Sequence, residues 1–149
     1  MQALKIDNGA WVVVCDGAKA LVLENTGNRM APSLVTKEVY EQADQKTHEL
    51  GTDKPGRAFS AAGGGRRSAV EQANWHDREE QKFLAKLAAR LDKAVLAGET
   101  KSLIVVAPAR AIGMLRREYS AQVRQALRAE VEKDYVKLPV GEITRHLAS

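Results

Sequence analysis

At 149 residues the chain has room for one well-developed core and not comfortably for two, so a single domain over residues 1–149 is expected. Its 23 Lys and Arg exceed its 19 Asp and Glu, and the formal net charge of +4 favours anionic partners. The single cysteine, Cys15, excludes an internal disulfide and a multi-cysteine metal site, and no apolar run reaches the roughly 20 residues that span a bilayer.

The start, MQALKIDNGA, lacks the basic-then-apolar order of a signal peptide, so a cytoplasmic protein with no membrane partner is expected. Residues 10–15 (AWVVVC) form a short apolar run, Asp16 and Gly17 turn the chain, and residues 19–24 (KALVLE) alternate. This pattern predicts a β-hairpin, with Gly17 supplying the positive φ of a tight turn. A second turn follows at residues 25–29 and a weaker strand at 33–40, after which residues 41–49 are polar and read as loop or a ragged helical turn.

Residues 51–70 (GTDKPGRAFSAAGGGRRSAV) interrupt this periodicity. Lys54, Arg57, Arg66 and Arg67 stand there with Ser60, Ser68 and the run Gly63, Gly64, Gly65, and no acidic residue falls between Lys54 and Val70. Glycines and Pro55 oppose a regular helix or central strand, while uncompensated cations and free backbone N–H groups suit a mobile loop that meets phosphates. The bland alternative is a wet surface loop.

A long helix is predicted to begin between Ser68 and Asn74 and to end near Gly98 as its C-cap. Phe83, Leu84, Leu87, Ala88, Leu91 and Val95 share one face at the 3.6-residue period. On the opposite side Arg78, Lys82, Lys86 and Arg90 recur every four residues, with Lys93 above them, as a basic ridge interrupted by Glu79 and Asp92. Trp75 lies on the ridge side. Residues 103–107 (LIVVA), ended by Pro108, read as a fully buried strand. A helix over 109–117 is expected to bury Ile112, Met114 and Leu115. Ser120 is expected to cap another, with Val123, Leu127 and Val131 on one face, and a short helix is expected over 142–147 after Pro139. Together these elements describe an α/β layer around a mixed sheet.

No catalytic set is legible. His48, His76 and His146 are scattered, none at metal-ligand spacing from another, so no metal is expected. GGGRRS lacks the G-x-x-x-x-G-K-[ST] spacing of a nucleotide-binding loop, and no cofactor is implied. Cys15 ends an apolar strand and reads as a small core residue.

The stretches WVVVCDGAKALVL, GTDKPGRAFSAAGGGRRSAVEQANWHDREEQKFLAKLAARL and LIVVAPARAIGMLR resemble the bacterial host-attachment protein family over nearly the whole chain. That family in turn resembles the middle domain of archaeal and eukaryotic peptide release factors and their ribosome-rescue relatives. The resemblance implies a ribonuclease-H-like mixed β-sheet with packed helices and a long glycine-rich basic loop. In the release factors that loop ends in Gly-Gly-Gln, enters the peptidyl-transferase centre and precedes a long basic helix. Gly64 and Gly65 match the two glycines, and Arg66 stands where those proteins have glutamine.

The resemblance and the unpaired charge together imply a domain that contacts tRNA or the ribosome through Lys54, Arg57, Gly63, Gly64, Gly65, Arg66, Arg67 and Ser68 on the loop and Arg78, Lys82, Lys86 and Arg90 on the helix. An enzymatic alternative is peptidyl-tRNA ester hydrolysis without the glutamine, in which loop N–H groups and Arg66 orient water or stabilise an oxyanion. A third is a direct or indirect role in attachment to host cells, implied by the family's name.

Overall fold

The computed structural model describes residues 4–42 and 69–148. Five strands form one mixed sheet: β1 (Trp11–Cys15), β2 (Lys19–Asn25), β3 (Leu34–Glu41), β4 (Leu103–Ala107) and β5 (Leu127–Glu132). Their order is β3-β2-β1-β4-β5. The first three make an antiparallel meander, and β4 and β5 run parallel to β1. The helices are α1 (Ala69–Leu96), α2 (Ala109–Arg116), α3 (Ala121–Ala126) and α4 (Val140–Ala148).

Every residue of β1 and β4 is buried, as an apolar run without alternation requires. Trp11, Val13 and Cys15 face one way with Leu103, Val105 and Ala107, and onto them pack Leu84, Leu87 and Leu91 of α1, Ile112 and Leu115 of α2, and Val123 of α3. Val12, Val14, Ile104 and Val106 face the other way, under Ile143 and Leu147 of α4, Ile6 and Val136. The chain is thus a single α/β domain with helices on both faces of the sheet.

Of the apolar stripe of α1, Leu84, Leu87, Ala88 and Leu91 are buried as its period predicts, with Ala94 added, while Phe83 and Val95 at its edges are partly buried. Gly98, at φ +79°, ends the helix. Its N–H donates to the Val95 carbonyl at 3.1 Å while that of Glu99 reaches back to Ala94 at 2.8 Å, a paired termination that satisfies the last carbonyls. Pro108 caps α2, and the Ser120 hydroxyl accepts from Val123 N–H at 3.1 Å at the start of α3 while donating to Asp92 of α1 at 2.6 Å.

Two expectations need correction. The positive φ expected at Gly17 is absent: Gly9 and Gly98 are the positive-φ residues of the described chain. The turn is closed instead by Asp16 Oδ1, which accepts from the N–H groups of Ala18 at 2.8 Å and Lys19 at 2.9 Å, so no left-handed residue is needed. Glycine is suited to position 17 because a Cβ there would lie 2.7 Å from the carboxyl carbon of Glu80 on α1.

Leu127 and Val131, expected on a helix face with Val123, belong to β5. Residues spaced i, i+4, i+8 also satisfy a period of two, and the open edge of β4 decides between the periods because its backbone groups gain ladder partners. A register shift lets Leu127 oppose Leu103 and Ala129 oppose Ile104. Leu127 therefore joins the α1 side of the sheet, while Ala129 and Val131 join the α4 side. The predicted glycine-rich loop as far as Ser68, and most of the polar stretch before it, lie outside the described residues.

Replacing Leu91, fully buried between α1 and the sheet, with alanine is expected to cost about 2–5 kcal/mol in urea unfolding, whereas Leu96→Ala, at a position 64% exposed on the same helix, should stay within about 0.5 kcal/mol of wild type.

Candidate anion-contacting site

The long helix holds the predicted basic residues, and its geometry sorts them. A step of four residues advances about 400° at 3.6 residues per turn, so an i, i+4 series winds about 40° around the axis at each step. Arg78, Lys82 and Lys86 are consequently exposed. Three steps carry Arg90 round to the flank that meets the sheet. Lys82 is 70% exposed and sits 3.4 Å from Glu79 one turn back, a contact of little energetic weight at such exposure. Arg78 and Lys86 have no intramolecular acceptor among the described residues. Trp75 is partly exposed near the start of α1, edge-on to His76 at 5.1 Å.

Arg90, with a side chain 23% exposed, is instead the hub of a charged network. Its Nε and Nη2 donate to the two carboxylate oxygens of Glu38 on β3 at 3.1 and 2.6 Å, and Nη1 and Nη2 donate to Glu99 beyond α1 at 3.2 and 2.9 Å. The guanidinium also lies 5.4 Å from the ring centre of buried Trp11 on β1. The bidentate bond from Arg90 holds the Glu38 carboxyl below its usual range, helped by the Tyr40 hydroxyl that donates to it. Tyr40 is pushed upward, first by burial and then by that same carboxylate. Arg90 thus ties β1, β3 and the end of α1 together, and its charge is met within the chain. Sequence reasoning placed it on the open ridge and missed Glu38 and Glu99. The winding of the series was the signal available. Between the end of β3 and α1 lies a groove of about 310 Å³ lined by Tyr40, Gln42, Phe83, Lys82, Lys86 and Arg90 among others.

At the carboxyl ends of β1 and β4 the chemistry is quieter. Asp16 is committed to its turn, and Arg110 of α2 bonds Glu80 at 3.1 Å and also Asp77. Burial pushes the Cys15 thiol up to about 12, with the neighbouring Asp16 charge adding to the effect, so the thiol is a core group rather than a nucleophile at neutral pH. His76 is exposed on α1, and His146 stacks on Tyr135 at 5.0 Å. His48 lies outside the described residues, as do Lys54, Arg57, Gly63, Gly64, Gly65, Arg66, Arg67 and Ser68. Among the described residues no group of three or more His, Cys, Asp or Glu could hold a metal.

The Arg90 network carries a pH dependence of definite sign. Because the folded Glu38 carboxyl titrates below its unfolded counterpart, its stabilisation is complete above the ordinary carboxylate range and is lost as pH falls through the lowered folded pKa. Glu38→Gln is expected to lower stability by about 1–3 kcal/mol at pH 7, and urea midpoints of wild type and variant should converge as the pH is taken below about 4.

No curated protein matches the chain. The family described as "Protein required for attachment to host cells" matches over residues 11–147, which takes in every strand and all but the last residue of α4. The chain therefore belongs to the host-attachment protein family.

Proposed function

We propose that this domain contacts RNA, with tRNA or the ribosome as partner, and that any part it plays in attachment to host cells is exerted from the cytoplasm through translation rather than by direct adhesion. The observation that carries the reading is the outward face of α1, where Arg78, Lys82 and Lys86 are held at successive one-turn spacings of about 6 Å by a helix whose other face is locked onto the sheet. Such a face meets a phosphate backbone without an entropic cost for ordering the helix. Lys54, Arg57, Arg66 and Arg67, with the glycines 63–65 and Ser68, belong to the same proposal on sequence grounds, as further contacts to the RNA. Arg90 is assigned a supporting role, since its guanidinium already bridges Glu38 and Glu99.

An antiparallel meander followed by two parallel strands, with helices on both faces, supports the ribonuclease-H-like reading of the sheet and with it kinship to the middle domain of the release factors. No helix among the described residues is long and apolar enough to cross a membrane.

Labelled tRNA and isolated ribosomes should bind the purified protein with an affinity that falls steeply as salt rises, because neutralised phosphates release counterions. Replacing Lys82 and Lys86 together by glutamine should weaken binding and reduce the log–log salt slope by about one for each phosphate that is no longer neutralised. Binding that ignores salt, or that survives both this pair and Arg66→Ala with Arg67→Ala unchanged, rejects the reading. Recovery of the protein mainly at the cell surface rejects the indirect route to attachment.

A further inference from the structure

The described arginines divide by whether the chain itself satisfies them. Arg29, Arg90, Arg110, Arg116 and Arg145 pair with carboxylates. Arg124 and Arg128 donate to backbone carbonyls. Arg78 and Arg117 alone among them have no acceptor in the described chain.

These two unsatisfied arginines line one concavity, of about 460 Å³, between α1 and α2. Arg78 comes from α1 and Arg117 from the end of α2. Gly113 and Met114 contribute to the lining, and a Cβ at Gly113 would meet nothing within 4 Å, so the space above that turn of α2 is open. Arg110 lies in the same wall with its charge offset by Asp77 and Glu80. The lining thus carries three arginines against the one carboxylate of Asp77, with Glu80 and Glu118 joined to it through Arg110 and Gln81, and Arg78 and Arg117 are the arginines that no carboxylate of the described chain pairs. A cation at the C-terminus of α2 is favoured by the helix dipole, which accounts for a basic residue at 117 but not for the second one on α1.

We propose that the α1–α2 cleft is a phosphate site in which Arg78 and Arg117 bind one phosphodiester of an RNA backbone. The winding of the α1 series sets its place in a longer track: Arg78 stands on the α2 side of the helix, and Lys82 and Lys86 lead round to the groove beside β3. The strand therefore crosses α1 obliquely, entering at Arg117. The RNA origin of the phosphate rests on the function proposed above, whereas the affinity of the cleft for phosphate does not.

Two arms separate those claims. In the first, inorganic pyrophosphate is titrated into the full chain and amide shifts are followed by NMR. Saturable shifts centred on Gly113 and Arg117 are expected, weakened about tenfold or more in Arg117→Gln and in Arg78→Gln but not in Lys93→Gln, an exposed cation of α1 outside the cleft. Absence of shifts there, or equal shifts in Arg117→Gln, overturns the site whatever the RNA result. In the second, tRNA binding is measured against salt, and Arg117→Gln should weaken it several-fold and lower the slope by about one. A cleft that binds pyrophosphate beside tRNA binding indifferent to Arg117→Gln overturns the RNA assignment in favour of a free or small-molecule phosphate. Failure of wild-type protein to bind either tRNA or isolated ribosomes overturns both that assignment and the function proposed above, while leaving the pyrophosphate result to stand or fall alone.

Discussion

The parallel pairing of β1 with β4 is the constraint from which the architecture follows. Trp11 through Val14 are registered against Leu103 through Val106, and none of these side chains can be left in water without losing the main source of stability. A sheet whose two central strands are apolar on both faces requires a layer on each side. The long helix and its two short companions supply one. α4, Ile6 and Val136 supply the other. Asn25, fully buried, fastens the meander to this frame: its Nδ2 donates to the Ile6 carbonyl at 2.7 Å and its Oδ1 accepts from Ser33 N–H at 2.8 Å.

The cationic face of α1 is a by-product of the same packing. Because Leu84, Leu87 and Leu91 fix the rotation of α1, they also fix where each cation points. A four-residue repeat cannot stay on one face of a 3.6-residue helix, and the chain uses the drift: the early members of the series remain in solvent and Arg90, the last, becomes a bridge between strands. One sequence pattern thereby yields two kinds of arginine, separated by exposure and by the presence of Glu38 and Glu99.

Much of this is legible in the sequence alone. The burial of β4 follows from LIVVA, the buried stripe of α1 from its period, and its end from Gly98, because each depends on neighbours in sequence. What escapes depends on contacts across the fold. The segment LRAEVE fits a helix or a strand, and only the unpaired edge of β4 resolves it. Arg90 resembles its ridge neighbours because Glu38, from a different strand, cannot be foreseen in its arms. Arg117 is hidden beside Arg116, and it takes the fold to show that Glu130 of β5 answers Arg116 and not its neighbour.

The order of the strands also bears on how the chain reaches this state. The meander β1-β2-β3 joins sequence neighbours through short turns and can form early, whereas the β1–β4 pairing links Trp11 to Leu103 across most of the chain. Loop-closure entropy delays such distant contacts, so folding should be slow for a domain of this size. Until β4 arrives, the meander presents an apolar strand with an open hydrogen-bonding edge on what will become the middle of the sheet. The most buried strand of the native protein is thus the most exposed hazard of the nascent one, and crowding by other unfolded chains would act on that edge first.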